Sequence, residues 1–223
     1  MSERQPRIIV FAGSLRKGSY NKALARYAAQ VTSEAGAEVR CLDLTDYDVP
    51  LYNADIYNSD VANPYSLVDK GGVCPPYSPP MPEGLLRLRE QFRWADGWIV
   101  VTPEYNGTFP AVLHNLFEWF TRLAPGERIM ELFTFKAVAT LCAAFEGNGK
   151  AAQRDIKTVL TNLGVLIVPN LVGDSVVVIN DANFDPERGL VGARSQKTVR
   201  YMADRLVRFI RELKAGQGAA AGA

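Results

Sequence analysis

The run Ile8-Ile9-Val10-Phe11 carries no polar alternation. A strand with one wet face alternates apolar and polar side chains, whereas a strand covered on both faces does not. Trp98-Ile99-Val100-Val101 has the same character and reads as a central strand. Strands of this kind need a helical layer on each side, and the sequence between them has helical spacing of apolar residues.

Strands are predicted over 7–12, 38–44, 96–102, 136–143 and 165–168, the last extended or followed by 176–179. Helices are predicted over 19–35, 83–94, 111–123, 151–163 and 190–213. Ser19 suits an N-cap, its hydroxyl accepting from first-turn amides. Gly36 and Gly164 suit C-terminal stops, and Pro110 suits a first helical turn. Strand and helix alternate too few times for an eight-unit barrel. The pattern predicts an α/β, flavodoxin-like, doubly wound five-stranded parallel sheet of order 2-1-3-4-5, with helices on both faces. One domain is expected over 1–214, with a mobile Gly/Ala-rich tail at 215–223.

Residues 50–82 break the rhythm. They hold seven prolines (Pro50, Pro64, Pro75, Pro76, Pro79, Pro80 and Pro82), the Gly71-Gly72 pair, and Tyr52, Tyr57, Tyr65 and Tyr77. So long a connection is usually functional, and tyrosines are more useful packed than solvated. It reads as an ordered excursion that caps the ligand edge or packs on a second subunit.

The bulk numbers exclude several classes of protein. With 48% hydrophobic and 22% charged residues, the chain has the balance of a soluble globular domain. A net charge of +1 gives no reason to expect nucleic acid or an anionic membrane as partner. The N-terminus lacks a signal peptide's apolar region, and no run approaches the ~20 apolar residues of a membrane span. A cytoplasmic location is expected. Cys41, Cys74 and Cys142 are too far apart for a disulfide framework or metal pair. Cys41 and Cys142 read as buried small hydrophobes, and Cys74 as a loop residue. His114 is the only histidine and sits among Leu113, Leu116, Phe117, Trp119 and Phe120, so it reads as structural. No metal site is expected.

Two loops carry the chemistry. Gly13-Ser14-Leu15-Arg16-Lys17-Gly18-Ser19-Tyr20-Asn21 follows the first strand and opens the first helix. Ser14 and Ser19 offer hydroxyls, Arg16 a planar fork and Asn21 an amide, while Gly13 and Gly18 let the backbone amides turn toward an anion. The spacing is neither a dinucleotide fingerprint nor a P-loop. Asp43, ending the second strand, is a weak candidate for a ribose. The second loop, Pro103-Glu104-Tyr105-Asn106-Gly107, follows the third strand. Tyr105 can shield or stack on a ring, and Asn106 can meet its polar edge. Gly107 gives a tight turn. Glu104 reads either as a carboxylate bracing its own loop or a neighbouring subunit, or as an acid or base. In a doubly wound sheet both loops reach the carboxyl edge, where ligands bind.

GSLRKGSYN together with PEYNGTFPAVLHNLFEW resembles the NADPH-dependent FMN reductase family, which includes chromate, quinone and azo-dye reductases. The resemblance covers roughly residues 7–171. It implies FMN as cofactor, NAD(P)H as co-substrate, a quinone, azo, metal-oxyanion or flavin acceptor, and a homodimer or homotetramer. It implies that Ser14, Arg16, Ser19 and Asn21 hold the phosphate, and that Pro103, Glu104, Tyr105 and Asn106 line the ribityl chain and ring. Leu15, Tyr20, Gly107 and Phe145 complete the expected cofactor set, and no residue is assigned as catalytic. The chain departs from the family pattern in three places. Phe145 and Glu146 put bulk and charge in a loop that is usually glycine-rich, His114 stands where lysine is common, and the 50–82 excursion is long. Two rival readings are an FMN-binding carrier or redox sensor, and a non-catalytic interaction protein on the same fold.

Overall fold

The protein is described by a computed structural model over residues 4–53, 81–124, 126–169 and 175–221. Along the chain, β1 (Arg7–Ala12) leads through α1 (Tyr20–Glu34) to β2 (Glu38–Leu42) and a 3-10 turn (Leu44–Asp46). Then come α2 (Glu83–Trp94), β3 (Gly97–Val101), α3 (Ala111–Phe120), β4 (Ala137–Ala144) and α4 (Lys150–Asn162). The short strands β5 (Leu166–Ile167), β6 (Val176–Val178), β7 (Phe184–Asp185) and β8 (Gly189–Leu190) precede α5 (Ala193–Ala221).

The main sheet has the predicted order β2-β1-β3-β4-β5 and its pairs are parallel. Its fifth position is shared. β5 pairs with the start of β4 through Ala137↔Leu166 and Val138↔Ile167, and β6 pairs with its end through Cys142↔Val176 to Ala144↔Val178. The second of the two forms foreseen for the fifth strand is therefore the one adopted. β7 and β8 form a separate antiparallel pair.

Apolar runs without alternation become strands buried on both faces: β3 and β4 are buried throughout. Ile9, Phe11, Trp98 and Val100 pack on one side with α2, α3 and α4. Ile8, Val10, Ile99 and Val101 pack on the other with α1 and α5. The edge strand β2 has one neighbour and is mostly exposed or half-buried. Cys41 lies on it and is exposed, which corrects the expectation that it is buried. Cys142, in central β4, is buried as expected, and burial together with the nearby Glu104 charge pushes its thiol up to about 12. Cys74 and positions 54–80 of the excursion lie outside the described residues.

Helix starts follow local chemistry. The Lys22 amide donates to the Ser19 hydroxyl at 3.5 Å, making Ser19 the N-cap of α1, and Gly36 follows the helix at φ +89°. The last helix begins at Ala193 and not at Leu190, because Leu190 pairs with Phe184 across β7 and β8. It continues to Ala221, past the stop foreseen at Leu213, through a stretch with no proline and several alanines, the strongest helix formers.

Two interactions fix α3, whose first turn borders the sheet's carboxyl edge. The Pro50 carbonyl accepts from Asn115 Nδ2 at 2.9 Å and Trp119 Nε1 at 2.8 Å. The Trp119 carbonyl in turn accepts from Arg89 of α2 at 3.0 Å, and Arg89 forms a two-toothed pair with Glu127. Arg89 and Glu127 are both buried, and the Ala124 amide also donates to Glu127 at 2.8 Å. Removing one partner leaves a buried charge unpaired. Glu127→Ala is expected to destabilise the fold by about 3–5 kcal/mol, read as a lower urea midpoint at unchanged slope.

Candidate active site

A cleft of about 360 Å³ opens at the carboxyl edge of β1, β3 and β4. The first loop and the start of α1 supply Arg16, Ser19, Tyr20 and Asn21, and the second loop supplies Pro103, Glu104, Tyr105, Asn106 and Gly107. The end of β4 and the loop after it supply Ala143, Ala144, Phe145 and Asn148, and Ile179 follows β6. The two motifs foreseen from sequence thus meet, with Phe145 beside them. Ser14 and Leu15 do not line the cleft itself. The loop after β4 was expected beside the ring, but of its residues only Phe145 was assigned to the site, and Ile179 was not foreseen; the topology brings both to the same edge.

Within the first loop, Ser14 is buried and its Oγ has no hydrogen-bond partner among the described residues. An orphaned buried hydroxyl is costly. Arg16 and Lys17 are exposed, and no ion pair or hydrogen bond engages either of them among the described residues. Ser19 accepts from Lys22, which leaves its own proton free to donate. Gly13 has no positive φ. A Cβ there would stand 2.5 Å from Leu113 Cδ1 and 2.6 Å from Cγ, so it is close packing on α3 that requires glycine. Gly18 likewise has no positive φ.

Asn21 is buried and spends its amide on β4: Nδ2 donates to the Ala143 carbonyl at 3.0 Å, and Oδ1 accepts from the Ala143 amide at 2.8 Å. Asp43 is equally committed. Burial works against its charge, but hydrogen bonds from Lys22 Nζ, at 2.7 Å, and from Thr45 hold its carboxyl below the usual range.

The second loop is a two-residue hairpin. Tyr105 and Thr108 exchange backbone hydrogen bonds of 2.9 and 3.2 Å. Asn106 at φ +53° and Gly107 at φ +78° are both left-handed. That is the Asn-Gly type I′ turn, which needs two positive φ values. Gly107 therefore makes the tight turn expected of it. Glu104 braces a different loop from its own: its Oε2 accepts from the Gly149 amide at 2.9 Å and the Ala152 amide at 3.0 Å, at the start of α4. A carboxylate there satisfies amides that the helix cannot pair itself.

The third loop contains two left-handed glycines, Gly147 at φ +84° and Gly149 at φ +96°. Phe145 is 66% exposed and Tyr105 45%. With Leu15 and Tyr20 they account for most of the large exposed apolar side chains among the described residues. His114 is exposed, lies outside the cleft lining and stacks on Phe109 at 3.7 Å between ring centroids, in keeping with a structural role. Among the described residues, no group of three or more His, Cys, Asp or Glu could hold a metal ion, and no helix is long and apolar enough to cross a membrane.

The cleft thus has donors at one end and apolar side chains at its rim. The family model for NADPH-dependent FMN reductase matches residues 6–176. A quinone reductase of Escherichia coli (strain K12) is 35% identical over 123 residues, which are 55% of this chain and 54% of that protein. The chain thus spans about half the length of that relative. An NAD(P)H-dependent FMN reductase of Pseudomonas aeruginosa is 28% identical over 93% of this chain and 97% of its own length. The solved structure of the flavoenzyme NAD(P)H:(acceptor) oxidoreductase FerB from Paracoccus denitrificans superposes with a TM-score of 0.69 at 22% identity, covering 93% of this chain and 98% of FerB. At that identity the likeness shows a shared fold.

Ser14 yields a prediction of uncommon sign. Its hydroxyl loses no protein partner on truncation, so Ser14→Ala is expected to raise the stability of the ligand-free protein by up to about 1 kcal/mol. A higher urea midpoint would show it. A midpoint lowered by as much would mean that the hydroxyl is already satisfied in the ligand-free fold.

Proposed function

The chain belongs to the NADPH-dependent FMN reductase family, and from that premise we propose that its cleft holds FMN and that it passes reducing equivalents from NAD(P)H to a small-molecule acceptor. Quinones are the acceptor class best supported, since relatives with 35% and 26% identity are a quinone reductase and a 2-hydroxy-1,4-benzoquinone reductase. Azo compounds, metal oxyanions and a second flavin remain acceptors to be screened. The reading includes a cytoplasmic homodimer or homotetramer.

The observation that carries this reading is the unpartnered Ser14 hydroxyl. It is buried in a loop that also holds Arg16, free of ion pairs among the described residues, and Ser19, with a free proton. A phosphomonoester is a dense acceptor that such donors fit. Ser14, Arg16 and Ser19 would hold it, with Leu15 and Tyr20 flanking. The Asn106 side chain and the amides of Asn106 and Gly107 would meet the polar edge of a flat ring system. Pro103 stiffens the entry to that turn, and Tyr105 and Phe145 would shield the ring from water. When bound, FMN supplies the redox chemistry, accepting a hydride from nicotinamide and returning electrons to an acceptor. The side chains position the ring and exclude solvent, and none is asked to be a nucleophile.

One observation favours a second reading, an electron carrier or redox sensor. Phe145 stands 66% exposed at the rim, where it would limit access to a bound ring.

The decisive experiment is an anaerobic absorbance spectrum of the FMN-loaded protein before and after NADPH, then NADH. Bleaching within seconds is expected, and the faster donor gives the nicotinamide preference. A stable flavin band with both donors would support the carrier or sensor, and a chain that cannot load FMN would support the interaction protein. In parallel, Arg16→Ala is expected to weaken FMN binding by about 1.5–3 kcal/mol, the worth of a charge-assisted bond, when titrated by flavin fluorescence.

A further inference from the structure

We propose that Asn21 and Glu104, one from each motif, are positioning residues for the third loop and not ligands of the flavin. This rests on the reading that the cleft holds FMN, but the contacts that carry it belong to the protein alone.

Ala143 lies two residues past Leu141, the last β4 residue paired with β3. On its other side β4 continues with β6, through Cys142↔Val176 and Ala144↔Val178. On the β3 side the strand has ended at Val101, and the chain turns off through Pro103. The Ala143 amide and carbonyl are therefore left without a strand, and Asn21 supplies an amide in its place, accepting at 2.8 Å and donating at 3.0 Å. At the far end of the loop, Glu104 takes the amides of Gly149 and Ala152. The space there leaves little slack: a Cβ on Gly149 would stand 2.8 Å from Val176 Cγ1.

The loop is pinned at both ends, by α1 through Asn21 and by the second loop through Glu104. The residues between the pins include Phe145 and the left-handed Gly147. The clamp therefore fixes where Phe145 stands at the rim. Both side chains reach the third loop, so a ligand that orders any one loop meets the others already in register.

The test uses the full chain with and without FMN. Hydrogen exchange by mass spectrometry on the ligand-free protein is expected to show residues 143–152 exchanging about tenfold faster or more in Asn21→Ala and Glu104→Ala, because each removes the side-chain oxygen that accepts from amides of that segment. Glu104→Gln keeps an acceptor oxygen and is expected to restore much of the protection, which also covers the case in which Asn21→Ala does not fold. In titrations with FMN and riboflavin, Asn21→Ala is expected to weaken both by the same factor, whereas Arg16→Ala weakens FMN selectively. Unchanged exchange at 143–152 in Glu104→Ala would overturn the clamp. A loss confined to FMN in Asn21→Ala would do the same and make Asn21 a phosphate ligand. Failure of the wild-type chain to bind FMN would defeat the flavin reading, while the exchange data would still decide the clamp.

Discussion

The cleft depends on one unmet demand of the backbone. Buried amides and carbonyls must be paired, yet β4 outruns β3 by three residues. If β3 continued it would satisfy Ala143, but it would also carry the chain across the space that the cleft occupies. The side-chain amide of Asn21 meets the demand without extending the strand. It reaches there from the first turn of α1, and Ser19 fixes that turn as its cap. The first crossover, the end of the central strand and the open volume between them are thus set by one pair of hydrogen bonds spanning 122 positions in sequence.

The layered sheet was legible because burial on both faces leaves so clear a mark. The β1 and β3 runs have no polar residue to place outward, and the order 2-1-3-4-5 follows from crossovers of helical length. The fifth position was harder to read. β4 is long enough to need two partners, and the chain supplies Leu166–Ile167 and Val176–Val178 separately. Neither segment alone has the length of an ordinary strand. Cys41 was misread as part of an apolar run, although Glu38, Arg40 and Asp43 interrupt the apolar residues around it and the order 2-1-3-4-5 puts its strand at an edge. The start of α5 was misplaced because β7 and β8 are two residues each, too short for periodicity to register.

The residues of the site were easier to foresee than the work they do. Asn21 and Glu104 were picked for chemistry they could offer a ligand, and the structure spends both on the protein. Gly13 was chosen for its freedom at φ, whereas its importance lies in the missing side chain that lets Leu113 approach. These roles depend on what lies opposite across the sheet edge, which residue type cannot reveal. Asn106-Gly107 is the converse case. The turn is specified within four residues, so its geometry was written in the sequence. Within the loop after β4, Ala143 and Ala144 were not assigned to the site because their contribution is backbone position, and alanine carries no chemical signal of that.

The side chains that the fold leaves free at this edge are informative. The structure consumes Asn21, Glu104, Lys22 and Asp43 in contacts with one another or with the backbone. It leaves Ser14 without a partner and Arg16 unpaired among the described residues, with Leu15, Tyr20, Tyr105 and Phe145 exposed around them. A buried hydroxyl is usually paired, and Tyr20, Tyr105 and Phe145 put three of the large exposed aromatic side chains along one cleft. On the reading proposed above, donors at one end of the cleft and apolar surface at the other would suit an anionic and largely aromatic molecule. The loops that hold those groups are tied to β4 from both sides, so binding has little ordering left to do there and most of the contact energy can appear as affinity.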